Sequence, residues 1–261
     1  MLLTVDVGNT TISLGAFDGQ KLMGDWRLST TAKRTPDELG VMIDGLLRRN
    51  LDPKAIDHVI VCSVVPHLNE PLNYAFSRFF SKKPLFLNNA LGLVALEVDD
   101  PAAVGADRIA DCLAGFCLFG GPLLIIDCGS ASTFDLVSDN GAFLGGAIAP
   151  EMTAASYSLF SKTALLPEVE LTLPPSVVGK NTNDNLQAGV VLGFLDLIDG
   201  LIQRFKLEVD RPLKVVATGG RGGFYQKHID DIEVYEPHLT LIGLRLCWER
   251  IQSGATHDQT P

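Results

Sequence analysis

The sequence predicts an α/β protein built from two similar halves, and two observations carry this prediction. The first is an internal duplication. Residues 2–19 and residues 123–141 each read as an apolar strand, an Asp-x-Gly turn rich in hydroxyl or amide side chains, and a second strand that ends at a hairpin signal. The second is that helical patterns alternate with short strands after each copy. The two aspartates, Asp6 and Asp127, lie 121 residues apart in a chain of 261 residues.

In the first half, the hairpin signal Asp18-Gly19 separates the second strand from a third, Lys21 to Leu28. Thr35-Pro36-Asp37-Glu38 is a capping box with proline at the first helical position, and apolar residues follow it at helical spacing. The later elements are predicted as a strand at His58–Val65, a helix at Leu72–Phe80, a strand at Pro84–Leu87 and a helix at Gly105–Phe119.

In the second half, Asn140-Gly141 is the matching hairpin signal. The predicted elements after it are a strand at Ala142–Ile148, helices at Glu151–Leu165 and Asn183–Phe205, a strand at Lys214–Ala217 and a helix at Thr240–Gln252. Asn181 or Thr182 would cap the long helix. The organisation predicted is a domain at 1–118, a domain at 119–252 facing it across a cleft, and a flexible tail at 253–261.

Composition narrows the function classes. Hydrophobic residues make up 46% of the chain and charged residues 20%, which is typical of globular proteins. The net charge of −10 argues against nucleic acid and anionic membranes as partners. The five cysteines form no C-x-x-C pair, the histidines have no zinc-binding spacing, and the longest uncharged run, Cys112–Ile126, is too short to span a bilayer. With no signal-peptide pattern, we expect a cytoplasmic protein.

The first Asp-x-Gly turn, Asp6-Val7-Gly8-Asn9-Thr10-Thr11, has the residue types of a phosphate-binding hairpin. Glycine lets successive backbone N–H groups point outward, and the asparagine and threonine side chains add donors. An aspartate beside such a turn is a ligand for Mg²⁺ through oxygen or water. A plain hairpin with a capping aspartate would look the same. The second copy, Asp127 to Thr133, favours the phosphate-binding interpretation, because two such hairpins would grip a polyphosphate from both sides.

These features resemble the acetate/sugar kinase, Hsp70 and actin superfamily and, within it, type III pantothenate kinase. The resemblance runs in family order over nearly the whole chain. It is carried by Asp6-Val7-Gly8-Asn9-Thr10, Ser63-Val64-Val65-Pro66, Gly105-Ala106-Asp107-Arg108, Asp127-Cys128-Gly129-Ser130-Ala131-Ser132-Thr133, Gly145-Gly146-Ala147-Ile148-Ala149-Pro150, Gly179-Lys180-Asn181-Thr182 and Ala217-Thr218-Gly219-Gly220. It implies two duplicated actin-like (ribonuclease H-like) domains with mixed sheets and a cleft between them.

The resemblance also implies an activity and a site. The family is known for ATP-dependent phosphorylation of pantothenate, the first step toward coenzyme A. By resemblance, Asp107 would accept the proton of the substrate and Asp127 would hold a monovalent cation, with Asp6 beside the magnesium and phosphate. The ATP-binding residues would be Asp6, Val7, Gly8, Asn9, Thr10, Thr11, Ile12, Ser13 and Ser130. The pantothenate-binding residues would be Gly105, Ala106, Asp107, Arg108 and Thr182.

General physical chemistry supports some of these assignments independently of the resemblance. Phosphoryl transfer needs positioning and charge neutralisation, and a carboxylate beside the attacking hydroxyl can accept its proton. Asp107 falls in the first turn of a predicted helix, where the dipole favours the ionised form, although a carboxylate there is also a common helix start. Arg108 could equally bind an anion or form a surface ion pair, and Thr182 could be a helix cap.

Three positions depart from the family pattern. Ser130 stands where threonine is usual, which keeps the hydroxyl. Glu151 stands where glycine is usual, so its carboxylate would either add negative charge near the phosphates or lie on a helix facing away. Val98 stands where a tyrosine often helps to wall the pantothenate pocket, which bears on the choice of substrate.

Two other functions remain open at this point. One is a kinase of the same fold that acts on another hydroxylated acid or a sugar. The other is a nucleotide-binding regulatory protein that transfers no phosphate. The joint presence of Asp6, Asp107 and Asp127 argues against the second, because a pure nucleotide binder needs no carboxylate on the acceptor side. We further expect dependence on Mg²⁺ and on K⁺ or NH₄⁺, and a homodimer, from the family and from the apolar faces of the helices at 105–119 and 183–205.

Overall fold

A computed structural model describes residues 1–31, 33–163 and 165–254 of the chain. They form two five-stranded mixed sheets with helices. The predicted tail, 253–261, lies outside these residues except for Ser253, which ends the last helix, and Gly254.

The first sheet has the strand order β3-β2-β1-β4-β5. Its central strand β1 pairs antiparallel with β2 and parallel with β4, and β4 pairs parallel with β5. The strand bounds are β1 Leu2–Val7, β2 Thr11–Asp18, β3 Lys21–Ser29, β4 His58–Ser63 and β5 Leu85–Phe86.

The second sheet repeats this plan strand for strand. Its order is β10-β9-β6-β7-β8; β6 pairs antiparallel with β7 and parallel with β9, and β9 pairs parallel with β10. The bounds are β6 Leu123–Cys128, β7 Ala131–Val137, β8 Phe143–Pro150, β9 Lys214–Thr218 and β10 Val234–Tyr235. Because order and direction agree in both sheets, the predicted α/β duplication is confirmed.

Eight α-helices accompany the strands in the described residues. Their bounds are α1 Pro36–Leu47, α2 Asn69–Ala75, α3 Ala106–Phe119, α4 Met152–Lys162, α5 Thr182–Gln187, α6 Gly193–Val209, α7 Gly222–His228 and α8 Leu239–Ser253. One π-helical turn extends α2 to Phe80, and another joins α5 to α6. The capping box at Thr35 is present as predicted. Helix α7 was not predicted from the sequence, because it contains Gly222 and Gly223 and glycine has a low helix propensity.

The chain divides into two compact units, each made of segments that are separate in the sequence. Unit 1 comprises Met1–Gly120, Gly141–Leu144 and, of the described residues, 238–254; unit 2 comprises Gly121–Asn140 and Gly145–Pro237. The sequence predicts a single boundary instead, between residues 118 and 119. The difference arises because α8 packs against α3, where Gly243 allows the closest approach: a Cβ there would lie 2.1 Å from the Ala110 carbonyl oxygen.

Each unit has its own apolar core. Alternate residues of β1 and β2, such as Val5, Val7 and Ile12, are buried with side chains of α1 and α2 in unit 1. In unit 2, Ile126 and Cys128 of β6 are buried with residues of α6 and α7. Burying such aliphatic side chains contributes about 1.5–3 kcal/mol each, so the central strands are firmly fixed at the ends where the candidate site begins.

The helical segment Thr182–Val209 is the one stretch of the described residues that is long and apolar enough to cross a membrane by length and composition. Such a test is also passed by core helices of soluble proteins. Here Val190, Val191, Ile198 and Ile202 of this segment are buried in the core of unit 2. The apolar face of the segment is therefore partly used within its own unit.

Candidate active site

Both Asp-x-Gly turns lie at the carboxyl end of the central strand of their sheet. We call residues 6–13 hairpin 1 and residues 127–133 hairpin 2. Asp6 pairs with Ser13 across hairpin 1 and with Cys62 on the parallel strand β4. Asp127 pairs with Thr133 across hairpin 2 and with Thr218 on the parallel strand β9. The two units thus present the same carboxylate at equivalent positions.

Hairpin 1 is held by backbone and hydroxyl hydrogen bonds. The Gly8 N–H donates to the Thr11 carbonyl at 3.0 Å. Thr30 supports the turn from β3's end: its hydroxyl donates to the Gly8 carbonyl at 2.7 Å and its N–H to the Thr10 carbonyl at 2.8 Å. Asn9 and Thr10 are exposed at the tip, and neither the sequence pattern nor the duplication had pointed to Thr30.

The residues assigned to ATP in hairpin 1 fall into two groups by exposure. The side chains of Val7 and Ile12 are fully buried in the core of unit 1. Thr11 and Ser13 are half-buried. Any contact of Val7 and Ile12 with a nucleotide would therefore be made through their backbone.

Asp6 is the most strongly perturbed carboxylate of the site. Burial raises its pKa, and the charge of Asp107 raises it further; a hydrogen bond from the Cys62 thiol to Asp6 Oδ1, at 3.3 Å, lowers it, and the pKa lies at about 7. Burial together with the charge of Asp6 also raises the pKa of Cys62. The charge of Asp107 therefore reaches Asp6 within unit 1.

Asp107 lies in the first turn of α3 and is half-buried. Gly105, the N-cap of that helix, leaves space for it: a Cβ on Gly105 would lie 2.4 Å from Asp107 Oδ1. The same oxygen accepts the Arg108 N–H at 2.9 Å. The Arg108 guanidinium lies over the ring of Phe143, 4.9 Å from its centroid, a cation–π contact that sequence reasoning did not foresee.

Hairpin 2 occupies the equivalent place in its sheet, but its turn is one residue shorter than that of hairpin 1. The Gly129 N–H donates to the Ala131 carbonyl at 3.0 Å, and Ser130 is exposed at the tip. Gly219 crosses directly over the aspartate, because a Cβ there would lie 2.4 Å from Asp127 Oδ1. Its φ of +79° also favours glycine, so the Thr218-Gly219-Gly220 turn and hairpin 2 form one compact group.

Thr182 is exposed at the first position of α5. Asn181, not Thr182, caps this helix, because its side chain accepts the Asp184 N–H at 2.9 Å. Thr182 is thus left available for another contact. Of the departures from the family pattern, Val98 is half-buried in the segment before α3, and Glu151 is buried at the N-cap of α4.

The described residues contain no group of three or more His, Cys, Asp or Glu side chains that could hold a metal ion. Mg²⁺ that arrives with ATP does not need one, since it is commonly held by one or two carboxylates, phosphate oxygens and water. The raised pKa of Asp6 fits this use, because a cation would offset the repulsion between Asp6 and Asp107. At hairpin 2, the carboxylate of Asp127 offers oxygen ligands of the kind a monovalent cation takes.

Comparison with known proteins agrees with this geometry. The family model for type III pantothenate kinase matches residues 2–204. The chain is 40% identical over 252 residues to a type III pantothenate kinase of Geotalea daltonii, covering 96% of this chain and 98% of that protein. It is 41% identical over 256 residues to one of Roseiflexus sp., covering 97% and 100%.

Among solved structures, the chain resembles the activator of the 2-hydroxyisocaproyl-CoA dehydratase from Clostridium difficile with bound ADPNP. The TM-score is 0.56 at 14% identity, over 97% of this chain and 96% of that one, which is a likeness of fold. The predicted actin-like fold is confirmed. With the family model spanning most of the chain and relatives near 40% identity over their full length, the chain belongs to the type III pantothenate kinase family.

Proposed function

We propose that the protein transfers the γ-phosphoryl group of ATP to pantothenate, forming 4′-phosphopantothenate, the first step of coenzyme A biosynthesis. The observation that carries the proposal is the pairing of Asp6 with Asp107. Asp6 begins the glycine hairpin at the end of β1, and Asp107 lies in the first turn of α3, where its charge raises the pKa of Asp6. A phosphate site beside a proton acceptor is what phosphoryl transfer to a hydroxyl requires.

On the acceptor side, Asp107 orients the hydroxyl of pantothenate and takes its proton as the new O–P bond forms. Arg108, placed over Phe143, is suited to the carboxylate of pantothenate. Gly105 and Ala106 supply backbone at the same helix start, and Thr182 supplies a hydroxyl from α5.

On the nucleotide side, hairpin 1 binds the phosphates through the N–H groups and side chains of residues 8–11, and Ser130 of hairpin 2 contacts ATP. Mg²⁺ bound by Asp6 would neutralise phosphate charge, and a monovalent cation bound by Asp127 would do the same at hairpin 2. Gly219 packs against Asp127, whereas a Cβ on Gly220 would meet nothing within 4 Å, so the Gly-Gly turn has open space at Gly220 for a nucleotide to approach its backbone.

The test is ATP consumption with and without pantothenate, with the product identified by mass. The proposal expects 4′-phosphopantothenate in stoichiometric amount with ADP. Phosphorylation of another hydroxylated acid or a sugar instead would reassign the substrate. Tight ATP binding without any acceptor-dependent turnover would favour a regulatory nucleotide-binding protein.

We also propose a cytoplasmic homodimer. Large apolar side chains are exposed on unit 2, and contact with a second copy would remove them from water. They are Ile148, Tyr157, Leu165, Val177 and Val178, with exposed fractions of 62–91%. Fractionation of cells that produce the chain would test the location.

A further inference from the structure

Glu151 is a buried acidic residue at the start of α4. Its side chain is 4% exposed and caps α4, with Oε2 accepting the Thr153 N–H at 2.6 Å. Its other oxygen, Oε1, and the nearby hydroxyl of Tyr225 are both buried, and neither makes a hydrogen bond of good geometry among the described residues. The electrostatic influence of Glu151 reaches both Tyr225 and Cys128. A cap alone does not require burial of a charge, which is costly unless the charge is paired.

Arg221 supplies the compensating charge. Its Nε lies 3.3 Å from Glu151 Oε1 and 3.4 Å from the Thr153 hydroxyl. The side chain of Arg221 is 29% exposed, so the pair is only partly open to water and is weakly screened. The carboxylate at this position therefore faces an arginine inside unit 2. The charge of Glu151 is therefore compensated within unit 2.

Arg221 also connects this pair to the nucleotide-binding backbone. It directly follows Gly219-Gly220, and its N–H donates to the Cys128 carbonyl in hairpin 2 at 3.4 Å. The Gly222 N–H returns to the Gly219 carbonyl at 3.3 Å, closing the turn. The start of α4, the Gly-Gly turn and hairpin 2 are thus joined at one residue.

We propose that Glu151 and Arg221 are positioning residues for nucleotide binding: their ion pair holds the Gly219-Gly220 turn against hairpin 2 and so fixes the surface that receives ATP. Neither side chain touches the reacting atoms. The inference rests on the proposed assignment of hairpin 2 to the nucleotide.

Glu151→Gln is the sharpest probe, because glutamine can keep the oxygen that caps α4 while the negative charge and the acceptor that face Arg221 are lost. We expect the KM for ATP to rise about tenfold, equivalent to about 1.4 kcal/mol. The KM for pantothenate and kcat at saturating ATP should stay within twofold. Asp231→Asn is the matched control: it breaks a 2.7 Å ion pair with Lys206 in the same unit, away from hairpin 2, and should leave all three constants unchanged.

A purely structural role predicts a different pattern. Loss of folded protein lowers kcat in proportion and leaves the KM for ATP unchanged, and that result for Glu151→Gln would overturn the proposal. If Glu151→Gln fails to fold, Arg221→Gln, which removes the opposite charge of the same ion pair, gives the same test. The double variant Glu151→Gln/Arg221→Gln should be no worse for ATP than the poorer single variant, since the two residues act as one unit. Additive losses would overturn the pairing.

Calorimetric titration of ATP, without pantothenate, separates this inference from the proposed function. Wild-type protein that makes 4′-phosphopantothenate, together with unchanged ATP affinity in Glu151→Gln, would reject the positioning role alone. Wild-type protein that makes no 4′-phosphopantothenate would reject the proposed function, while the ATP affinities of the variants still decide the role of the ion pair.

Discussion

Asp107 is the residue on which the proposed chemistry depends most directly. Asp107→Asn keeps the size of the side chain and a helix-starting residue type but cannot accept a proton. We expect kcat to fall ~10²–10⁴-fold, with ATP affinity and melting temperature nearly unchanged. Asp6→Asn should instead weaken Mg²⁺–ATP binding as well as turnover. Steady-state kinetics with direct ATP titration measures both, and an Asp107→Asn enzyme within a few-fold of wild-type kcat would remove the catalytic assignment.

Asp6 should also make the unliganded protein sensitive to pH. Its pKa is about 7 in the folded protein and 3.8 as a free side chain, so the folded state binds the extra proton. Below about pH 4, Asp6 makes its full contribution to the free energy of unfolding. As the pH rises from about 4 to 7, that contribution is lost, which lowers the free energy of unfolding by up to about 4 kcal/mol. Asparagine does not ionise and still accepts a hydrogen bond from Cys62.

Asp6→Asn should therefore be more stable than wild type above pH 7, with the difference shrinking toward pH 4. Urea unfolding at pH 5, 6, 7 and 8 without nucleotide measures this difference. A stability difference that is constant over this range would contradict the raised pKa of Asp6. The expected result is a variant that gains stability as it loses activity, as is common for functional carboxylates.

Among the elements, α1 offers a clean measure of local stability. Thr35 caps it: the Glu38 N–H donates to the Thr35 hydroxyl at 3.3 Å, and the Thr35 N–H donates to Glu38 Oε2 at 2.7 Å. Thr35→Ala should cost about 1 kcal/mol of unfolding free energy, because the first turn loses an acceptor. Thr35→Ser, which keeps the hydroxyl, should recover most of it. Denaturant unfolding measures the loss of stability, and steady-state kinetics tests whether α1 is coupled to the site. Altered kinetic constants in the alanine variant would show such coupling.

The elements that could be predicted from the sequence are those with a local signal. The capping box fixed the start of α1, and the hairpin dipeptides Asp18-Gly19 and Asn140-Gly141 marked the strand connections. For α5 the sequence leaves Asn181 and Thr182 as candidate N-caps, and the structure shows that Asn181 is the N-cap. The helix predicted to run to Leu165 ends at Lys162.

The parts of the candidate site that could not be predicted depend on pairing between distant strands. Cys62 reaches Asp6 only because β4 lies beside β1 in a particular register, and Arg221 reaches Glu151 only because the turn after β9 meets the start of α4. No spacing within a local window records such contacts. The motif residues themselves were recognisable because each carries its chemistry in consecutive positions.

At the scale of the whole molecule, charge leads to a prediction about cations. A chain with a net charge of −10 that offers Asp6 and Asp127 to a polyanion would repel ATP without cations. We expect activity to require Mg²⁺ and, in addition, K⁺ or NH₄⁺, and Asp127→Asn to lose the response to the monovalent cation. Rates in Mg²⁺ buffers with and without K⁺ or NH₄⁺ provide the test; full activity in Mg²⁺ alone would remove the monovalent half of the prediction.

Association of the whole molecule is a separate prediction. Light scattering at micromolar concentration should give about twice the chain mass of 28.1 kDa. Ile148→Asp, at a side chain 67% exposed on β8, should shift the protein toward the monomer, whereas Leu207→Asp, at a side chain 80% exposed on α6, serves as the control. A wild-type mass of 28.1 kDa would contradict the dimer.

The position of α8 has a consequence for how the protein is made. Its buried residues, among them Leu239, Leu244 and Cys247, belong to unit 1, although they are synthesised after every residue of unit 2. On a ribosome, domains usually fold in the order in which they emerge. Here the opening 120 residues must wait for the closing helix, with the apolar face of α3 uncovered in the nascent chain, while unit 2 can complete its fold first. A chain terminated before residue 238 would carry a finished second half and an unfinished first half, a product that protein quality control can recognise and degrade.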